Sequence, residues 1–267
     1  MTQIIALAMQ KGGVGKTTSA FHIARCAVLA GLRTLVVDLD SQGNLTLVAT
    51  KEPYEPGNIS IADVLATGSD VRLSEVIVPG VWDGLDVAPS PGEPLGVVRD
   101  QLVIAGGGRE FRLREALAEV KDDYDLILLD LAPSLDLISG NALAASDKVL
   151  VVSSTDAFAE SGLHLLLDNI ATTKAYYNPA LETVGILVNA HESRTINGRE
   201  WTEILQEVAD ARDVTVLEPA IPRARSIADA TYAATGLDQW KDRHKTGPKY
   251  AALYEQHFKT LMEGAAR

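Results

Sequence analysis

The sequence predicts a doubly wound α/β fold, a mostly parallel sheet with helices on both faces. Three observations predict it. Short β-branched runs alternate with longer helical patterns along the chain. Several runs are apolar on both faces, as in "LILLD" at 126–130 and "KVLVV" at 148–152, the pattern of strands covered from both sides. A glycine-rich turn joins the first run directly to the first helical pattern. The length of 267 residues suits one large α/β domain, and a single domain over 1–267 is the expectation.

Taken in order, strands are expected at 4–8, 34–37, 85–88, 126–129, 148–152, 184–188 and 214–216. Each is a run of Val, Ile, Leu or Thr bounded by turn residues. Helices are expected at 17–30, with Gly31 as its stop, and at 109–120, 160–172, 199–211 and 226–235. Residues 51–108 carry "EPYEPGN", "PSPGEPLG" and "AGGG" and are read as an irregular excursion of the same domain that holds the strand "LDVA". Residues 249–263 show an apolar stripe of Ala251, Tyr254, Phe258, Leu261 and Met262, read as a helix docked on the core.

Composition bounds the function. Hydrophobic content of 46% builds a sizeable core and charged content of 22% argues against a disordered chain. Cys26 is the single cysteine, so neither an internal disulfide nor a cysteine-ligated cluster within one subunit is possible. No apolar run approaches the ~20 residues of a membrane helix, and no signal-peptide pattern is visible, so a cytoplasmic location is expected. The net charge is −12, unevenly spread: residues 1–190 hold 13 Lys and Arg against 24 Asp and Glu, and residues 191–267 hold 11 against 12. Screening over ~10 Å lets a local basic surface coexist with that acidic total.

Residues 10–18 read Gln-Lys-Gly-Gly-Val-Gly-Lys-Thr-Thr between a strand and a helix. That context makes the stretch a phosphate loop. The backbone N–H groups of Gly12, Gly13, Val14 and Gly15 would face phosphate oxygens at a helix N-terminus, with Thr18 continuing the cradle. Lys16 would reach the β- and γ-phosphates and the Thr17 hydroxyl would ligate Mg²⁺. Asp130 ends an apolar strand, which places its carboxylate at the sheet edge beside the loop, where it would hold the metal through a water. Asp38 and Asp40 lie two apart at the end of another strand, and alternation turns both toward the site.

Position 10 is Gln where the ordinary phosphate-loop pattern has Gly, and an extra lysine, Lys11, opens the loop. "KGGVGKTT" resembles the signature of the ParA/MinD family of deviant Walker ATPases. "VVDLDSQGN" at 36–44 resembles the family's second motif and "LILLDLAPSLD" at 126–136 its Walker B strand and following loop. "ILVNAHESRT" at 186–195 and "AIPRARSIADA" at 220–230 resemble the later base-binding and DNA-side segments. Ser41, the pair Leu131 and Ala132, and Asp229 depart from the residues usual in that family. The resemblance implies an ATPase that uses ATP and Mg²⁺. Asp40 would orient the attacking water and Asp38 would support the metal shell. Lys11 would reach the nucleotide of a second subunit, and Gly12 would lie against that subunit. Asn189 and the backbone of Ile221 and Pro222 would recognise the base, since an amide pairs both donor and acceptor with adenine's edge.

Three uses of such an ATPase compete. In a ParA-type partition protein the ATP homodimer binds DNA nonspecifically on the nucleoid and a ParB-like partner triggers hydrolysis; Arg194, Arg223 and Arg225 stand near the family's DNA-contacting positions. Arg199, Lys241, Arg243 and Lys245 would extend the patch. Its close cousin positions a protein cargo along the same track. A MinD-type membrane ATPase needs a basic amphipathic C-terminal helix, and the polar face of the tail is mixed (Glu255, Lys259, Glu263), which favours no membrane partner. A cluster-carrying reductase needs cysteines that this chain lacks.

Overall fold

The computed structural model describes residues 1–55, 57–155, 159–192 and 196–263. Among them eight strands form one sheet: β1 (Gln3–Ala8), β2 (Thr34–Leu39), β3 (Val78–Pro79), β4 (Leu85–Ala88), β5 (Leu126–Leu131), β6 (Lys148–Ser154), β7 (Glu182–Asn189) and β8 (Val216–Leu217). Their spatial order is β3-β4-β2-β5-β1-β6-β7-β8, and every pairing is parallel except β3 with β4. All six residues of β2 and of β5 are buried, as their unbroken apolar runs require. The chain moves from β1 toward β2 and β4 and later, from β5, toward β6, β7 and β8. This reversal opens a crevice beyond the carboxyl ends of the central strands, the place where open parallel sheets bind ligands.

The helices are α1 (Lys16–Leu29), α2 (Asn44–Ala49), α3 (Ile61–Leu65), α4 (Leu73–Val76), α5 (Glu93–Ile104), α6 (Arg112–Val120), α7 (Leu137–Ala145), α8 (Ala159–Tyr176), α9 (Ile196–Ala211), α10 (Arg225–Tyr232) and α11 (Gly247–Glu263). One group gathers α2, α10 and α11 around α1, and another gathers α5, α6 and α8 around α7. Helix α11 buries Tyr254, His257, Phe258 and Leu261.

Residues 51–108 differ from the irregular excursion read from the sequence: they carry α3, α4, β3, β4 and α5. Helix α5 escaped notice because Val97, Val103 and Ile104 are exposed on it, which blurs the stripe made by buried Leu95, Val98 and Leu102. Its start has a local cause, Pro in the first turn, where no N–H is needed. Helix α7 also went unread; the Asp136 carboxylate caps it by accepting the N–H groups of Ile138 and Ser139. Strand β3 is two residues long, with a proline, at the sheet edge. The last strand starts later than expected because Asp213 takes φ 52° and Val214 N–H bonds back to Ala209 C=O, so the chain is still turning there.

Helix α1 is tied to the C-terminal helices by polar groups. His22 Nε2 lies 2.9 Å from Thr231 Oγ1, and its ring is 5.0 Å from that of Tyr254. Arg25 makes a two-pronged bond to Asp238, 3.0 Å from Nε and 2.7 Å from Nη2, while stacked 5.1 Å over Trp82. Burial holds the His22 pKa down at about 4, against the pull of the Ile227 carbonyl and Asp238. The unfolded chain, with an ordinary histidine near 6.5, binds this proton more readily. His22 therefore contributes stability in full above about pH 6.5 and loses it as pH falls toward 4, roughly 2–4 kcal/mol across the window. In thermal unfolding at about pH 7 and about pH 5, wild type should lose more stability on acidification than His22→Asn. Equal losses would mean that His22 is not held neutral.

Candidate functional site

The site begins with register. Asp38 in β2 pairs with Asp130 in β5, and Asp130 pairs with Leu7 in β1, so three strand ends arrive side by side. The phosphate loop leaves β1 there. Gly13 (φ 76°) and Gly15 (φ 91°) take the left-handed conformation that wraps the loop onto α1. A Cβ on Gly15 would collide with the Asn189 amide. Gly12 is exposed, and a Cβ there would meet only the Pro133 side chain, at 3.9 Å. The loop borders a cavity of about 410 Å³ lined by Gly12, Lys16, Thr17, Asp40, Pro133 and Tyr232 among others. Val14 is buried beneath the loop, and Thr18 lines the same cavity.

Lys16 is buried, with Nζ 3.2 Å from the Met9 carbonyl and 3.5 Å from that of Lys11. Burial lowers its pKa, opposed by Asp130 and Asp40. Partial burial also lowers that of Lys11, at the loop's entrance. The Thr17 hydroxyl donates to Asp130 Oδ2 at 2.7 Å. Asp130 Oδ1 is buried and has no hydrogen-bond partner among the described residues. Burial first, and Asp38 second, push the Asp130 pKa up to about 8. Such an orphaned oxygen beside a threonine hydroxyl is the hard-oxygen donor set that Mg²⁺ takes, and a divalent cation would supply the missing charge.

The two aspartates after β2 part company. The strand ends at Leu39, so the alternation read from the sequence does not carry to Asp40. Asp38 is fully buried and does not line the cavity: its Oδ1 accepts the Asp40 N–H (3.1 Å), and its Oδ2 accepts the N–H (2.8 Å) and hydroxyl (2.7 Å) of Thr46. Burial raises its pKa to about 6. Asp40 lines the cavity; its Oδ1 accepts the Gln42 N–H at 2.9 Å, and its Oδ2 makes no hydrogen bond among the described residues.

The later residues are brought in from β7. Asn189 Nδ2 donates to the Val14 carbonyl at 2.8 Å, so this amide braces the phosphate loop itself. The Ile221 N–H bonds to Val188 C=O at 2.8 Å and its C=O accepts the His191 N–H at 2.9 Å. The Ile221 backbone is thus paired to Val188 of β7 and to His191. Pro222 lies opposite His191 in a parallel bridge made by its neighbours, the Ile221 C=O accepting the His191 N–H and the Arg223 N–H donating to the His191 C=O at 3.0 Å.

Arg194 lies outside the described residues. Arg223 and Arg225 are exposed, and each meets a carboxylate: Arg223 Nη1 is 2.7 Å from Glu192 Oε1, and Arg225 Nε is 3.4 Å from Asp229 Oδ2. These pairs dilute the basic field expected of the two arginines. A bond of 3.0 Å between Ser226 Oγ and Thr246 Oγ1 brings the start of α10 beside the loop that carries exposed Arg243 and Lys245. Thr46 and Ser90 were missed as site residues. Their only sequence signal is position, six residues past Asp40 for Thr46 and two past the end of β4 for Ser90.

Comparisons with known proteins agree with this geometry. A sequence-family profile described as an AAA domain matches residues 2–183. The chain is 34% identical to the sporulation initiation inhibitor protein Soj of Bacillus subtilis over 258 residues, 96% of this chain and 98% of Soj. It is 32% identical to the chromosome partitioning protein ParA of Myxococcus xanthus, over 94% of this chain and 86% of that one. Among solved structures, a cobyrinic acid a,c-diamide synthase from Mycobacterium smegmatis with bound ATP analog and magnesium superposes with a TM-score of 0.79 at 30% identity, covering 98% of this chain and 95% of that one. The fold is also that of the Cyanothece protein McdA, with a TM-score of 0.85 at 18% identity over 100% of this chain and 98% of that one. A phosphate loop with its second lysine, the two acidic strand ends and relatedness to Soj and ParA over nearly the whole length make this chain a member of the ParA/MinD family of deviant Walker-A P-loop ATPases.

Proposed function

We propose that the chain binds ATP with Mg²⁺, hydrolyses it to ADP and phosphate, and uses the cycle to partition DNA. The observation that carries the ATP reading is the cluster of Lys16, Thr17 and Asp130 with an unpartnered carboxylate oxygen, at the mouth of a glycine loop. Lys16 exchanges the carbonyls of Met9 and Lys11 for β- and γ-phosphate oxygens. Thr17 and Asp130 would hold the Mg²⁺, which would neutralise charge on those oxygens. Asp38 acts beneath them by fixing the turn that carries Asp40. Asp40 Oδ2 accepts a hydrogen bond from the water that attacks the γ-phosphorus; the bond to the β,γ-bridging oxygen breaks, the water's proton goes to the released phosphate and ADP leaves. Asn189 shapes the loop, and Pro222 borders the base.

The partition reading rests on relatedness to Soj and ParA. In it, two ATP-bound subunits face each other, Lys11 of each reaches the nucleotide of the other, and the pair holds nonspecific DNA on the nucleoid until a ParB-like protein stimulates hydrolysis. Arg194, Arg223 and Arg225, together with Arg243 and Lys245, supply phosphate contacts. Dimerisation doubles that surface, so DNA binding should need ATP. Gel shifts with Asp40→Ala protein and Mg-ATP should show binding that ignores sequence and falls steeply with salt. Gly12→Val has room in the monomer and should bind nucleotide, yet fail to dimerise and to shift DNA. No shift by Asp40→Ala even at low salt would overturn the DNA reading, and an intact ATP dimer of Gly12→Val would overturn the facing arrangement.

A further inference from the structure

Asp40 stands one residue beyond β2, where the sheet ladder no longer holds the chain. A closed circuit of hydrogen bonds holds it instead. The Asp40 N–H donates to Asp38 Oδ1 at 3.1 Å. Asp38 Oδ2 accepts the Thr46 hydroxyl at 2.7 Å and the Thr46 N–H at 2.8 Å. Thr46 Oγ1 accepts the Ser90 N–H at 2.8 Å, and the Ser90 hydroxyl donates to the Asp40 carbonyl at 2.7 Å. The circuit thus returns to the residue where it began, clamping the Asp40 peptide from both sides.

Three separate pieces of chain meet in it: the end of β2, helix α2 and segment 89–92 after β4. All four residues are buried, Asp38 at 0%, Ser90 at 3%, Thr46 at 4% and Asp40 at 9% exposure. Each hydroxyl has one proton. Thr46 gives its proton to Asp38 and Ser90 gives its proton to Asp40, so with an ionised Asp38 the circuit has a single arrangement of donors. Gln42 N–H then fixes Asp40 Oδ1 at 2.9 Å, and Asp40 lines the cavity beside the phosphate loop. Ser90 and Thr46 line a second cavity, of about 370 Å³, together with Gln42 and Gly43.

We infer that Ser90 and Thr46 are positioning residues for hydrolysis, holding the Asp40 backbone so that its carboxylate meets the attacking water. This rests on the reading of Asp40 as the water-orienting group. An error of ~1 Å in such a group costs on the order of 10² in rate. Neither residue lines the cavity beside the phosphate loop, so the loss should fall on kcat.

The test is steady-state and single-turnover hydrolysis at saturating Mg-ATP, with nucleotide affinity and thermal midpoint measured on the same proteins. Ser90→Ala and Thr46→Val should each lower kcat by about tenfold or more while KM and nucleotide affinity stay within about twofold. Thr46→Ser, which keeps the hydroxyl, should restore most of the rate. In an Asp40→Ala background, Ser90→Ala should have no further effect, because there is no carboxylate left to position. Wild-type kcat in Ser90→Ala, beside a slow Asp40→Ala, overturns the positioning role and leaves Asp40 in place. An equal further loss in the double variant overturns it too, by showing general weakening of the fold. Should Asp40→Ala itself turn over at the wild-type rate, the assignment of Asp40 fails, and the positioning role falls with it. Ser90→Ala removes a single buried oxygen, so it carries the test if Thr46→Val does not fold.

Discussion

Lys16→Ala is expected to lose tight ATP binding altogether. The ammonium is buried and held against two backbone carbonyls at 3.2 and 3.5 Å, poised where phosphate oxygens replace them. Charge-assisted bonds contribute about 1.5–3 kcal/mol each. With two phosphates contacted, the loss is roughly 3–6 kcal/mol, a hundredfold to ten-thousandfold in Kd. The alanine leaves Asp130 and Asp40 without the opposing ammonium, so a thermal midpoint measured beside the affinity shows that the variant is folded. Titration calorimetry with Mg-ATP checks it, and near-normal affinity would remove the phosphate-loop assignment.

Asp40→Ala is expected to separate binding from chemistry. Asp40 lines the cavity and hydrogen-bonds none of Lys16, Thr17 and Asp130, so ATP and Mg²⁺ should still bind. Turnover should fall by about 10²–10⁴, the usual contribution of a positioned acid–base group. The contrast with Lys16→Ala matters more than either rate. One variant should fail to bind, and the other should bind and accumulate the ATP state. Isotope-labelled ATP in single-turnover assays distinguishes them directly. Wild-type turnover in Asp40→Ala would move the water-orienting role to another group at the cavity wall.

Much of the site was legible in the one-dimensional chain because its chemistry is local. A phosphate loop needs its glycines, lysine and threonine within a few residues, and the strand before it and helix after it leave their own periodic marks. Asp130 was legible for the same reason, standing at the end of a run apolar on both faces. Asp38 was given its metal-side role by the family resemblance, and strand alternation supplied only a face. Its actual partners, Thr46 and the Asp40 peptide, lie around a turn that strand periodicity does not describe. Asn189 was read for its amide but not for its partner, since the Val14 carbonyl is 175 residues away.

The same division runs through the fold. Sequence by itself determined the parallel core, the phosphate loop, the acidic strand ends and the family, because apolar period, turn chemistry and a compact motif are written within short windows. Tertiary structure alone decided which side chains close on one another. It placed Ser90 against Asp40 across 50 residues and Thr17 against Asp130 across 113, and it set a carboxylate beside each of Arg223 and Arg225. It also ordered residues 51–108, where α5 shows as many apolar residues outward as inward. The physical reason is common to all of these. A hydrogen bond or an ion pair acts over about 3 Å of space, and parallel strands bring distant sequence to that distance through register, which no local pattern contains.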